Sequence, residues 1–207
     1  KFFYSMQRSI LRRLIERKIK DRRLVDVMML FADMETLLGI PIGNLLSQIF
    51  ALIYLNPLDH FIKRLLKVRD YVRYVDDFML IGLPREKCLA LRDAIVEFLR
   101  RLLGLELSRV TLQKVRKGVN FCGYRTWRTV TFIRKHSLYK FRRSVKAAAQ
   151  ESVNSLLGHA KNTNSMAYML AMLREEIAHG KNLQIPKGYR EVHDVLSGRA
   201  GLQPAGA

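Results

Sequence analysis

Apolar residues recur three or four positions apart over much of this chain, a spacing that predicts amphipathic helices. Ile10, Leu11, Leu14 and Ile15 form the first such stripe, and arginines and lysines occupy the other side. The same spacing predicts three further helical stretches: residues 46–66, broken or tilted near Pro57; residues 85–103; and residues 137–180, with Gly158 and residues 162–165 marking a turn between helices.

Shorter stretches rich in aromatic and β-branched residues predict strands. Residues 71–81 have this composition and predict a β-hairpin whose tight turn carries Asp76 and Asp77. Strand or turn character is predicted at three other places: residues 105–112, residues 119–124 with a preceding turn at Lys117-Gly118, and residues 1–5, interpreted as the end of a strand passing into a turn.

The two carboxylates of the predicted hairpin are unusual in a strand-forming sequence. Asp76 and Asp77 repel each other, and burying either one costs several kcal/mol unless it is paired or bound to a metal. An exposed Asp-Asp turn is one interpretation. Binding of a divalent cation such as Mg2+, which prefers hard oxygen ligands, is the other.

The charge of the chain narrows the class of partner. Lys and Arg number 37 against 18 Asp and Glu in the 207 residues, a net charge of +19 at pH 7. Such an excess favours a polyanion, nucleic acid first and an anionic membrane second. No uninterrupted apolar run approaches the roughly 20 residues of a transmembrane helix. Cys88 and Cys122 are too few for a disulfide framework, so a reducing, cytoplasmic setting is the simplest interpretation.

Two segments have the composition of nucleic-acid contacts. The glycines and proline of residues 39–44 exclude regular structure and would bring backbone N–H groups close to a phosphate or base. Residues 125–146 interleave cations with aromatic residues, which suits a single strand or a hybrid duplex. A solvated basic helix with its aromatic residues in the core is the alternative. The cations singled out are Arg125, Arg128, Arg134, Lys135, Lys140, Arg142 and Arg143.

Tyr-Val-Asp-Asp at residues 74–77 resembles the Tyr-x-Asp-Asp box of reverse transcriptases. Other segments resemble motifs of the same family, in the same order: Lys-Phe-Phe-Tyr-Ser at residues 1–5, Gly-Ile-Pro-Ile-Gly-Asn-Leu-Leu-Ser-Gln at residues 39–48, Asn-Pro-Leu-Asp at residues 56–59, and Gly-Val-Asn-Phe-Cys-Gly-Tyr at residues 118–124. The resemblance spans about residues 1–180.

The motif at residues 39–48 points to one group within the reverse transcriptase family. Most reverse transcriptases have Gln before its glycine and Ser-Pro at its end, whereas this chain has Ile42 before Gly43 and Ser47-Gln48 at the end. This pattern resembles the reverse transcriptases of diversity-generating retroelements, which copy a template RNA with frequent errors at adenines together with a small basic accessory protein. Group II intron or retron enzymes, and a degenerate, catalytically inactive module that binds RNA, are the alternatives.

The resemblance implies an α+β fold: a right-hand polymerase palm, with an antiparallel sheet and packed helices, followed by a helical thumb. Residues 1–125 would form the palm with the remaining part of the fingers. Residues 126–185 would form a basic helical thumb, and residues 186–207 a disordered C-terminal tail.

The resemblance also implies roles for individual residues. Asp76 is the expected metal ligand and Asp77 a supporting carboxylate, at a catalytic centre for two Mg2+ ions. Nucleotide contacts are expected at Phe3, Ile42, Gly43 and Gln48, and a primer grip at Phe121, Cys122, Gly123 and Tyr124.

The activity that the resemblance implies is RNA-directed DNA polymerisation. The expected partners are an RNA template, a DNA primer with its growing cDNA, deoxynucleoside triphosphates and the accessory protein, with no membrane. The family's first catalytic Asp falls three residues before Lys1. The printed chain is therefore expected to be a fragment that is inactive as a polymerase by itself.

Overall fold

The computed structural model describes residues 2–33 and 38–189. Within them the chain is mixed helix and sheet, with small antiparallel sheets, in agreement with an α+β class. The chain divides into two compact units, Lys1–Leu112 and Gln113–Ala207, and each unit has its own apolar core. The predicted palm of residues 1–125 thus ends beyond the boundary between the units.

Three helices begin the first unit: α1 (Phe2–Ser5), α2 (Arg8–Glu16) and α3 (Arg22–Leu30). The predicted amphipathic helix is α2, whose apolar residues Leu11, Leu14 and Ile15 are buried. Asp21 caps α3, because its side chain accepts hydrogen bonds from the first backbone N–H groups of that helix.

The next helix, α4 (Leu45–His60), continues through a π-helical turn (Phe61–Leu65), so the predicted helix over residues 46–66 is confirmed. Asn44 caps its start by accepting the backbone N–H of Ser47 at 2.6 Å. Pro57 lies inside the helix and does not end it.

The stretch Leu45–Leu65 has 21 residues and a mean hydropathy of 1.2, and is long and apolar enough to cross a membrane by length and composition alone. The core helix of a soluble protein has the same properties. Phe50, Tyr54 and Leu58 on this helix are fully buried in the first apolar core. This burial identifies α4 as the helix around which the first unit packs.

A hairpin and a helix complete the first unit. Strands β1 (Asp70–Tyr74) and β2 (Asp77–Ile81) pair antiparallel, with Tyr74 opposite Asp77 at the turn. Helix α5 (Arg85–Phe98) follows and ends in a π-helical turn (Leu99–Leu103). The predicted hairpin and the predicted helix over residues 85–103 are both confirmed.

The second unit begins with a 3-10 turn (Val115–Lys117) and a three-stranded antiparallel sheet. Its strands are β3 (Val119–Phe121), β4 (Tyr124–Thr126) and β5 (Thr131–Ile133), in that spatial order. Side chains alternate between the two faces of such a sheet. Ile133 on β5 consequently enters the second apolar core.

Three helices follow this sheet and pack against one another: α6 (Lys135–Lys146), α7 (Gln150–Ala160) and α8 (Ser165–Ala178). Phe141, Leu157 and Met166, one from each helix, are buried in the second core. A short 3-10 turn (Lys187–Tyr189) is the last described element. The helical pattern predicted over residues 137–180 is therefore confirmed.

The prediction of a strand end at residues 1–5 is wrong, because Phe2–Ser5 is helical. The ring of Phe2 makes edge contacts with Phe3 and Tyr54, at centroid distances of 5.5 and 6.3 Å. These contacts hold the segment against α4. The aromatic residues that suggested a strand instead pack against the helical core, and packing overrides local propensity.

Residues 105–112 also do not form the predicted strand. Leu105 is buried in the first core, but within residues 38–189 no strand pairs with this segment. An extended segment needs a partner for its backbone groups to become a strand. The turn predicted at Gly158 lies inside α7. Of the predicted tail, residues 190–207 lie outside the described residues.

Candidate active site

The turn between β1 and β2 consists of Val75 and Asp76, and Asp77 is the first residue of β2. The predicted hairpin is therefore present, but only Asp76 lies in the turn, whereas the sequence predicted both aspartates there. Both aspartates are exposed. The hairpin presents their oxygen atoms to solvent, where a cation can reach them.

Val75 has an unusual backbone conformation for a β-branched residue, with φ at +53°. Two-residue hairpin turns need positive φ, which glycine, asparagine or aspartate usually provide. A non-glycine residue in such a region costs about 1–3 kcal/mol and persists only where its surroundings hold it. The tip that carries Asp76 is thus held in place by contacts elsewhere.

Arg73 provides the first of these contacts. Its Nε and Nη2 donate to the two carboxylate oxygens of Asp59, at 2.8 and 2.5 Å, and its Nη1 donates to the carbonyl oxygen of Val75 at 2.7 Å. Only 10% of the Arg73 side chain is exposed. The guanidinium joins the end of α4 to the turn, and its bond to Asp59 raises its pKa.

Tyr71 provides the second contact. Its hydroxyl donates to Asp59 at 2.7 Å, and its ring lies 6.2 Å from that of Phe78 on the partner strand. Burial and the bond to Asp59 raise the pKa of Tyr71 above its ordinary value. Asp59 therefore receives donors from two residues of β1 and fixes the strand against α4.

The side chains of Asp76 and Asp77 take part in no hydrogen bond or ion pair within residues 2–33 and 38–189. This is notable in a chain of net charge +19, where other aspartates are paired: Asp26 with Arg12, Asp33 with Arg8, and Asp59 with Arg73. Arg73, the nearest arginine in sequence, is occupied by Asp59. The two tip carboxylates remain available for a ligand.

A Mg2+ ion fits this donor set in chemical type, because two adjacent carboxylates supply hard oxygen ligands. The set is small, however. In the part of the chain that the structure describes, no group of three or more His, Cys, Asp or Glu side chains could hold a metal ion. Asp76 and Asp77 would thus hold a metal only as part of a larger ligand set.

The expected nucleotide-binding residues lie around the start of α4. The backbone N–H of Ile40 donates to the carbonyl of Phe3 at 3.0 Å, which joins α1 to the glycine-containing loop. Ile42 is 60% exposed, and Gly43 and Gln48 are exposed. Phe3 is half-buried and packs against the same apolar core as Val75 and Phe78.

Gly39 allows α1 and this loop to approach closely. A Cβ atom at Gly39 would lie 3.0 Å from the Cα of Tyr4, and its φ of +92° favours glycine. Gly43 also has a positive φ, of +108°, but faces open space. The loop thus leaves room beside Gly43, next to the exposed Ile42.

The expected primer-grip residues form a second hairpin tip, in the second unit. Cys122 and Gly123 make the turn between β3 and β4, with φ of +48° and +87°, as the hairpin geometry requires. The ring of Tyr124 stacks on His159 at 4.6 Å, and its hydroxyl donates to the carbonyl of His159 at 3.0 Å. The sequence analysis missed His159, because it lies 35 positions after Tyr124 and nothing in its neighbouring residues indicates the contact.

The seven predicted basic residues of the second unit are all exposed. Arg125 lies over the ring of Trp127, 5.0 Å from its centroid, and donates to the carbonyl of Lys117 at 2.7 Å. The others lie between β4 and the end of α6: Arg128, Arg134, Lys135, Lys140, Arg142 and Arg143. Both the cations and several aromatic rings therefore reach solvent, while Phe141 is in the core.

No protein-family model matches the chain, and no curated protein matches it.

Proposed function

We propose that this chain carries the Asp-Asp hairpin and palm of an RNA-directed DNA polymerase, with a basic helical thumb, most similar to the enzymes of diversity-generating retroelements. The observation that carries the proposal is the tip of the first hairpin. Two exposed carboxylates lie there without partners among the described residues, on a turn braced by Arg73 and Asp59.

The order of the motifs supports the same proposal. The loop with Ile42 and Gly43 precedes α4, and the hairpin follows that helix. The turn at Cys122 and Gly123 comes later, before the basic segment. These elements occur in the order in which the resembling motifs of reverse transcriptases occur.

In the proposed reaction, the 3′-hydroxyl of a primer attacks the α-phosphate of an incoming deoxynucleotide and pyrophosphate leaves. Bound Mg2+ would activate the hydroxyl and neutralise charge on the leaving group. Asp76 would supply the main protein ligand and Asp77 a supporting carboxylate. Ile42, Gly43, Gln48 and Phe3 would bound the nucleotide site.

A second candidate is a degenerate module of the same family that binds RNA and does no chemistry. The observation that favours it is the absence, within the described residues, of a cluster of three metal-ligating side chains. The exposed cations of the second unit suit RNA in either case. Only a measurement of polymerase activity separates the two candidates.

The test is Mg2+-dependent extension of a DNA primer on an RNA template, with the full reading frame and its accessory protein. We expect extension by the unchanged protein and none by Asp76→Ala. Asp70→Ala is the matched control, since Asp70 is an exposed aspartate at the other end of the same hairpin. Equal extension by the unchanged protein and Asp76→Ala would contradict the metal assignment. RNA binding without any extension would favour the degenerate module.

A further inference from the structure

A groove of about 660 Å3 lies between α6 and α8 in the second unit. Its volume is in the range of ligand sites. The residues that give it its chemistry are two tyrosines, three cations and two glutamates: Tyr139, Tyr168, Arg142, Arg143, Lys146, Glu175 and Glu176.

Arg142 lies between the two tyrosines of the groove. Its guanidinium is 6.0 Å from the ring centroid of Tyr139 and 5.6 Å from that of Tyr168. It also donates a hydrogen bond to the hydroxyl of Tyr168. Both ring contacts are cation–π interactions; the one with Tyr139 lies within α6, and the one with Tyr168 joins α6 to α8. The groove thus has a charged centre flanked by two aromatic rings.

The two tyrosines are not needed for the core of the second unit. Tyr139 is 54% exposed and Tyr168 46% exposed, and neither belongs to the apolar core cluster. The contacts that bury α6 and α8 are made by other residues, including Phe141 and Met169. About half of the surface of each tyrosine therefore reaches solvent beside Arg142.

The charges of the groove are separated between its two helices. Arg142, Arg143 and Lys146 lie on α6, whereas Glu175 and Glu176 lie on α8. A ligand with a flat apolar part and an anionic part can satisfy this arrangement only in one orientation. Its anionic groups would lie along α6, because the glutamates repel them from α8.

We propose that the α6/α8 groove binds single-stranded nucleic acid, with bases on Tyr139 and Tyr168 and phosphates on the cations of α6. The inference rests on the proposed function only for the identity of the strand as RNA. A single strand exposes the faces of its bases, which stack on aromatic side chains, whereas a duplex conceals them and offers mainly phosphates. An acidic peptide lacks the flat rings that two exposed tyrosines accommodate.

The test measures binding of a labelled RNA strand of about 12 nucleotides by fluorescence anisotropy, a length within known single-strand site sizes. The variant Tyr139→Ala/Tyr168→Ala should raise the Kd roughly tenfold or more, since each stacked base contributes substantially. The matched variant Tyr139→Phe/Tyr168→Phe keeps both rings and should bind nearly as the unchanged protein does. Far-UV circular dichroism establishes that both variants are folded.

Charge and strand type are tested in the same assay. Arg142→Gln should weaken binding more than Arg64→Gln, which removes the same charge from an exposed position of the first unit. The double alanine variant should lose much less affinity for a duplex of the same sequence. Equal Kd values for the alanine and phenylalanine variants, equal losses on single strand and duplex, or equally strong binding of a polyglutamate peptide would each overturn the proposal.

Failure of the proposed function is separable from failure of this inference. Asp76→Ala lies in the first unit and should leave the Kd for the single strand unchanged while abolishing primer extension. A protein without polymerase activity would still show the tyrosine dependence of strand binding. Loss of that dependence in an active polymerase would overturn this inference alone.

Discussion

The guanidinium of Arg73 holds the carboxylate of Asp59 with two nitrogens, at 2.8 and 2.5 Å, and the carbonyl of Val75 with the third, at 2.7 Å. The arrangement fixes the turn residue before Asp76 to the end of α4. It also holds Val75 at a positive φ that a β-branched residue rarely adopts. The position of the candidate catalytic carboxylates therefore depends on a salt bridge that is not part of the Asp-Asp motif.

Replacement of Arg73 should destabilise the first unit. Arg73→Ala leaves Asp59 and the Val75 carbonyl without a largely buried partner, and should lower the free energy of unfolding by about 2–3 kcal/mol. Arg69→Ala is the control, because Arg69 is next to the same strand and its side chain is 95% exposed. Urea unfolding followed by circular dichroism makes the comparison. Equal stability of the two variants would contradict the bracing role.

The stability of the first unit should fall at alkaline pH because of Tyr71. Burial and Asp59 raise the pKa of this hydroxyl, so the folded state keeps a proton that the unfolded chain releases. The stabilisation that results from this raised pKa is fully present below a pH of about 10 and is lost as the pH rises further. Tyr71→Phe should reduce this decline. Part of it will remain, since burial also raises the pKa of Tyr54. The same slope in both proteins would refute the assignment.

The stability of the second unit should depend on Gly123 for two reasons, a close contact and a positive φ. An added Cβ would lie 3.1 Å from the His159 ring, and φ is +87°. Gly180 has a similar φ of +85° with open space around it. Gly123→Ala should therefore lower the free energy of unfolding more than Gly180→Ala does. The Gly180 variant suffers only the backbone strain, of about 1 kcal/mol. Fluorescence of Trp127, the single tryptophan, reports unfolding of this unit. Equal costs would show that the His159 contact is not tight.

The exposed Ile42 gives a prediction about copying errors, conditional on the proposed polymerase activity. A glutamine there would restore a hydrogen-bonding side chain beside the nucleotide site and restrain the geometry of base pairing. Ile42→Gln in the full-length enzyme should therefore reduce misincorporation at template adenines. Leu45→Gln makes a similar change at another exposed apolar residue, 73% accessible, and should leave the error rate unchanged. Sequencing of the cDNA measures the error rate. An unchanged rate in Ile42→Gln would refute the role of Ile42.

The sequence by itself determined most of the local elements. Apolar spacing predicted α2, α4 and α5, and the aromatic and β-branched run predicted the hairpin, because these patterns follow directly from helix and strand periodicity. The strand predictions at residues 1–5 and 105–112 were wrong. There the composition favoured strands, but contacts with the core and the absence of a pairing strand within the described chain decided otherwise.

Only the tertiary structure decided what surrounds the candidate sites. The bond from Arg73 to Asp59 spans 14 positions, that from Tyr124 to His159 spans 35, and that from Arg142 to Tyr168 spans 26. Local periodicity contains no information about such pairs, since packing of whole elements brings them together. The sequence thus places Asp76 and Asp77 on a hairpin. Only the fold shows that the nearby Arg73 binds Asp59, and that neither aspartate side chain has a partner among the described residues.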